Sequence, residues 1–145
     1  MTPPATPHRL MLVHFDPYST ALHFAQWDGS LLWPAPLPPE ATPAPPGEPD
    51  ADQAAALATA MAGLLGLEGA LLQAPEGFGP RFQSAAGDVQ QVHLLRLDTF
   101  EPPREALAAA GGVFKPISAL RGGAPAELGL AREVFNLIVS GGGRA

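Results

Sequence analysis

Asp52-Gln-Ala-Ala-Ala-Leu-Ala-Thr-Ala-Met-Ala-Gly-Leu-Leu-Gly-Leu-Glu68 is the stretch on which the fold turns. Leu57, Met61, Leu64 and Leu65 recur at helical spacing, so the segment reads as a helix with its large apolar side chains on one side. Asp50-Ala-Asp-Gln53 supplies the start, with Asp50 as N-cap and Gln53 completing a capping box three residues on. Gly66 fits the C-terminal cap, where a left-handed backbone is wanted. The helix is unusual for what it lacks. Between Asp52 and Glu68 there is no charged side chain, and Ala54, Ala55, Ala56, Ala58, Ala60 and Ala62 leave hardly any polar outer face. Such a helix asks for cover by another element or by a second copy of the chain. A homodimer is therefore one expectation.

Upstream of the helix, Arg9-Leu-Met-Leu-Val-His-Phe15 reads as a strand ended by the turn pair Asp16-Pro17, and Ala21-Leu-His-Phe-Ala-Gln-Trp27 as a second. Asp28-Gly29 is a hairpin signal that leads into a short third strand, Ser30-Leu-Leu-Trp33. Residues 34–49 hold eight prolines. No central strand or helix interior tolerates that density, so they read as one long loop. Downstream, 70–73 reads as a strand, Gly77-Phe-Gly-Pro80 as a loop and 89–98 as a further strand. A short helix over 104–110 stops at Gly111-Gly112. An extended edge segment over 113–117 follows, and a closing helix over 125–139 carries Leu128, Ala131, Phe135 and Ile138 on one stripe. Residues 1–8 and 141–145 read as flexible ends. Strands and helices mixed without strict alternation predict an α+β sandwich in one domain, with the two longer helices on opposite sides of a sheet.

Composition narrows the function. The chain has 145 residues, enough for one domain with a real core, and its 46% hydrophobic content argues against intrinsic disorder. A net charge of −6 with eight Lys and Arg leaves no basic stripe for tracking phosphates, so no nucleic-acid partner is expected. There is no cysteine, hence no disulfide framework, thiolate metal site or cysteine nucleophile. No signal core is visible and no apolar run reaches the roughly 20 residues of a membrane span, so a soluble cytoplasmic protein without a membrane partner is expected. Gly77-Phe-Gly-Pro80 lacks the Lys-Ser/Thr ending of a phosphate loop, and no Gly-x-Ser-x-Gly occurs.

The order of these segments resembles the Nudix family over residues 9–139. Trp27-Asp-Gly-Ser-Leu-Leu-Trp-Pro-Ala-Pro36 resembles its "DGxLWxxPGG" segment. Pro45-Pro-Gly-Glu48 resembles its "EPGE" turn, and residues 54–69 its "AALRELREETGLEG" helix. Val113-Phe-Lys-Pro-Ile-Ser-Ala-Leu120 resembles the "WVPLDEL" segment before the last helix. The resemblance implies an α/β/α sandwich with a mixed sheet and, in active members, magnesium-dependent hydrolysis of a nucleoside diphosphate derivative. The departures fall where that chemistry sits. The paired glycines become Leu37-Pro38, the arginine becomes Thr59, and the metal-binding glutamates fall on Ala60, Gly63 and Leu64. Alanine, glycine and leucine cannot ligate a hard cation. Their presence removes both the Lewis acid and the means of activating water.

What the resemblance then implies is a degenerate domain that binds a nucleotide, a small phosphorylated ligand or a protein partner without turnover, and no cofactor. The competing expectation is an active hydrolase that holds magnesium through a displaced acidic set, Glu40, Glu48, Asp50 and Asp52, with Glu48 as the catalytic candidate and Glu101 or Glu105 helping. A third is a structural dimerisation domain. For ligand contact the candidates are Trp33, Phe78, Arg81 and Phe82, because an aromatic face stacks on a nucleobase and an arginine meets phosphate. His14, His23 and His93 lie in expected strands and would form a metal site only if their rings converged.

Overall fold

The computed structural model describes residues 8–16, 18–19, 21–33, 37, 40–45, 47, 50–67, 72–74, 78–99, 101–120 and 125–140, with the side chains of 139 and 140 excepted. The chain forms a mixed seven-stranded sheet with three α-helices. At its centre, β1 (His8–Asp16) runs parallel to β6 (Val89–Leu97), with Leu10 opposite His93 and Leu12 opposite Leu95. Both strands are buried along almost their whole length, polar residues such as Gln90, Gln91 and His93 included, because both faces are covered, the usual condition of parallel pairing. On one side β1 pairs antiparallel with β2 (Ala21–Trp27), which pairs with β7 (Gly112–Pro116) at the edge. On the other side β6 pairs with β5 (Arg81–Gln83) and with the two-residue β4 (Leu72–Gln73), and β5 carries the edge strand β3 (Thr42–Ala44).

Alternation along the strands divides the core. Met11, Val13, Val92 and Leu94 point to the face covered by α3 (Pro125–Ser140), where Leu130, Ala131, Val134 and Ile138 are buried. Leu10, Leu12, Leu95 and Leu97 point to the face covered by α1 (Ala51–Leu65) and α2 (Arg104–Ala109). The two longer helices thus lie on opposite sides of the sheet, as their apolar stripes predict. Both stripes are rotated from the expected ones. In α1 the buried face is Ala54, Leu57, Met61, Ala62 and Leu65, while Leu64 is 44% exposed. In α3 the inner face centres on Leu130 and Val134, with Leu128 and Phe135 at its margin. Alanines buried at the helix–sheet contact explain the first difference, since small side chains let the axis come close.

The ends of α1 follow the sequence closely. The Asp50 carboxylate accepts from the Asp52 and Gln53 amides, and Gly66 takes a left-handed φ of 68°. The Asp50 amide, however, donates to Gln91 Oε1 on β6 at 3.3 Å, so the reciprocal bond expected from Gln53 is made by the sheet instead. Three further expectations are corrected. Ser30–Trp33 is no strand: after Phe24, β2 peels from β1 towards β7, and Trp33 takes the vacated place beside Leu10 through an isolated bridge. The proline-rich loop contains β3, which accommodates Pro43 because it pairs on one side only. Between the expected loop at 77–80 and the strand from 89 lies a strand that was not expected, β5, which contains Arg81 and Phe82. The Asp28-Gly29 hairpin forms as expected, with φ of 49° and 82° and paired bonds between Trp27 and Ser30.

A buried carboxylate joins this hairpin to α3. Glu127, in the first turn of the helix, accepts from the Ser30 hydroxyl and from the Leu31 amide, each at 2.7 Å, and the Ser30 oxygen in turn accepts from Leu32 N–H at 3.1 Å. No helix among the described residues is long and apolar enough to cross a membrane. Glu127→Ala would strand two buried donors, so a loss of about 2–4 kcal/mol is expected in chemical denaturation, with a smaller loss for Glu127→Gln.

Candidate functional site

The face of α1 turned from the sheet is built from Ala55, Ala56, Thr59, Ala60, Gly63 and Leu64, all exposed. Ala60, Gly63 and Leu64, the positions on which the resemblance puts metal ligands, therefore reach solvent without an oxygen to offer. Beside the helix lies a cleft of about 380 Å³ whose walls include Ala54, Ala55, Ala58 and Leu95. Of the displaced acidic set, Glu40 is exposed in a turn, Asp52 is exposed in the first turn of α1, and Asp50 is engaged as the N-cap. Glu48 lies outside the described residues. Among the described residues, no group of three or more His, Asp or Glu is placed to hold a metal ion.

The four ligand candidates are scattered. Phe78 and Phe82 are buried beneath α3, 3% and 6% exposed, so their rings fill the core and present no stacking face. Arg81 packs its guanidinium over Gly47, where any side chain would collide with it. Trp33 is half-buried against the opposite core cluster, on the α1 side of the sheet. Phe82 and Arg81 do border a shallow groove of about 340 Å³ with Pro43, Pro125 and Glu133, on the α3 side. Trp33 lies on the other face and does not join them.

The histidines form two pairs instead of a triad. His14 and His23 are direct cross-strand partners on β1 and β2. His93 sits four residues back along β6 from Leu97, the partner of His14, which is about 13 Å at strand spacing. Its Nε2 lies 2.9 Å from Nδ1 of His8, near the start of α1. One ring of that pair must donate and the other accept. Burial, reinforced by His8 and opposed by Asp50, pushes His93 down to about 4.

The His14–His23 pair lines a cavity of about 880 Å³ between the ends of β1 and β2 and the start of α2. Asp16, Tyr18, Ser19, Glu101, Arg104 and Glu105 complete its polar lining. Glu101 and Glu105 thus line this cavity, and Glu40, Asp50 and Asp52, which they were expected to assist, do not. His14 is fully buried, and its Nε2 lies 2.7 Å from the Thr99 carbonyl oxygen. A carbonyl only accepts, so Nε2 carries the proton and, in the neutral ring, Nδ1 holds the lone pair. Among the described residues that Nδ1 has no hydrogen-bond partner, and neither does the buried Nδ1 of His23. Burial, with the Arg104 and His14 charges, lowers the His23 pKa against an opposing pull from Asp16. The Tyr18 amide and Ser19 hydroxyl, each at 2.9 Å, hold the Asp16 carboxyl below its ordinary range.

Sequence reasoning had both histidines on strands but sought their partner in His93. The available signal was the turn pair Asp16-Pro17: with Asp16 opposite Ala21, residue 14 falls opposite residue 23. Comparison with protein-family models and with curated proteins yields no match to this chain.

The His93 shift makes stability depend on pH. The folded pKa of about 4 lies below the ordinary 6.5, so between these values the unfolded chain binds the extra proton. The contribution is therefore complete above about pH 6.5 and lost as pH falls towards 4, on the order of 1–3 kcal/mol. Urea titrations across this window should show the decline, and His93→Gln should flatten it.

Proposed function

We propose that this chain is a Nudix-like α/β/α domain that binds a ligand and does not hydrolyse it, working as a cytoplasmic protein. The fold half of the reading is supported by the order of segments together with a mixed sheet covered by α1 on one face and α3 on the other. The functional half rests on one observation. The outer face of α1 is exposed and carries no carboxylate from Ala55 to Leu64. Magnesium keeps near-octahedral geometry with oxygen ligands, and without them neither a pyrophosphate bridge nor a water nucleophile is activated.

The hydrolase alternative would need Glu40, Glu48, Asp50 and Asp52 to converge. Asp50 argues against it, because its carboxylate accepts two backbone amides at the helix start. The resemblance implies a nucleotide or another small phosphorylated ligand, and the 880 Å³ cavity has the volume of a small-molecule site. A second reading, homodimerisation through α1, is favoured by the exposed small and apolar side chains of Ala55, Ala56, Ala60, Gly63 and Leu64.

The test is a panel of nucleoside diphosphate derivatives with magnesium, followed for release of phosphate or nucleoside monophosphate. No turnover above the buffer rate is expected, in the parent chain or in Glu48→Gln. Magnesium-dependent release that Glu48→Gln abolishes would reverse the reading. Sedimentation velocity checks the dimer: a species of twice the chain mass is expected, and Ala60→Glu should dissociate it without unfolding an exposed helix face.

A further inference from the structure

The cavity between β1, β2 and α2 holds chemistry that neither the fold nor the resemblance explains. Among its lining residues is His14, fully buried, with its ring proton committed to the Thr99 carbonyl and its Nδ1 lone pair unmatched among the described residues. Burying a hydrogen-bonding nitrogen without a partner is costly, and a group in that position is normally satisfied by something that enters the site. His23, its cross-strand partner, adds a second unmatched nitrogen on the same wall. Around them stand the carboxylates of Asp16, Glu101 and Glu105 against the single guanidinium of Arg104. A neutral imidazole nitrogen with its lone pair free and a carboxylate both accept hydrogen bonds. The wall is thus rich in acceptors and carries net negative charge, the inverse of what a phosphate group requires.

We infer that this cavity binds a small organic cation bearing N–H donors, an amine or a guanidine. One donor meets His14 Nδ1 at the floor while the positive charge sits among Asp16, Glu101 and Glu105 at the rim. Hydrogen bonds from a charged donor to a carboxylate or imidazole acceptor are shorter and stronger than neutral ones, which gives both affinity and direction. The Asp16 carboxylate is fixed by the Tyr18 amide and the Ser19 hydroxyl, so part of the rim is already in position before a ligand arrives. The inference rests on the reading of the domain as a binding module, and for this cavity it replaces the phosphorylated anion with a cation.

The probe is 1,4-diaminobutane, compared with tetramethylammonium, a cation without N–H donors, and with adenosine monophosphate. Calorimetry should give saturable one-to-one binding of the diamine and at least tenfold weaker binding of the other two. Exposed Glu101→Gln and Glu105→Gln should each weaken the diamine by about threefold to fivefold, as expected of partly solvated charges. His14→Phe would remove a buried hydrogen bond and perturb the fold together with the site, so the decisive readout uses the intact protein. In nitrogen-15 spectra of the histidine rings, the diamine should shift His14 Nδ1 and leave His93 in place. Equal binding of tetramethylammonium, preferential binding of adenosine monophosphate, no diamine binding at millimolar concentration, or binding without a His14 response would each overturn the inference. Turnover of nucleotides would instead strike the non-hydrolytic reading and leave diamine binding measurable, so the two failures are distinguishable.

Discussion

The parallel pairing of β1 with β6 is the constraint from which the rest of the molecule follows. Parallel neighbours are stable when both faces are shielded from water, and here Leu10, Leu12, Leu95 and Leu97 serve one face while Met11, Val13, Val92 and Leu94 serve the other. Each such side chain contributes roughly 1.5–3 kcal/mol by burial, so the pair has enough apolar surface to recruit a helix on either side. It also fixes where polar residues fall. His8 and His93 come together at one end of the pair, and His14 reaches the Thr99 carbonyl at the other.

Much of the fold was legible in the chain because its signals are local. Asp50 and Gly66 bound α1, Asp28-Gly29 makes the hairpin, and the apolar runs of β1, β2 and β6 stand within a residue of their expected ends. What was illegible depends on partners distant in sequence. Residues 30–33 have the composition of a strand, yet β2 leaves β1 for β7, and only a single bridge remains. Pro43 lies in a stretch that reads as loop, and becomes strand because β5 supplies one neighbour and nothing supplies the other. The rotation of the α1 stripe, with Ala62 inside and Leu64 outside, is set by how closely the helix lies on the sheet.

The candidate site was less legible than the fold. Expectation concentrated on the proline-rich segment and on α1, where residue types could be compared with a known helix. The polar cavity instead draws on β1, β2 and the approach to α2, three segments brought together by sheet register. Its histidines were visible as residues and invisible as a pair. The unmatched nitrogen of His14 could not have been foreseen, because it arises from a hydrogen bond to a backbone carbonyl that no side-chain pattern encodes.

Both edge strands carry a proline, Pro43 in the middle of β3 and Pro116 at the close of β7, while β4 spans only two residues. A proline has no amide hydrogen to lend, so each margin is poorly suited to templating another chain. Ribbon-like growth from copy to copy is thereby discouraged, and with it the slide towards amyloid that an open sheet invites.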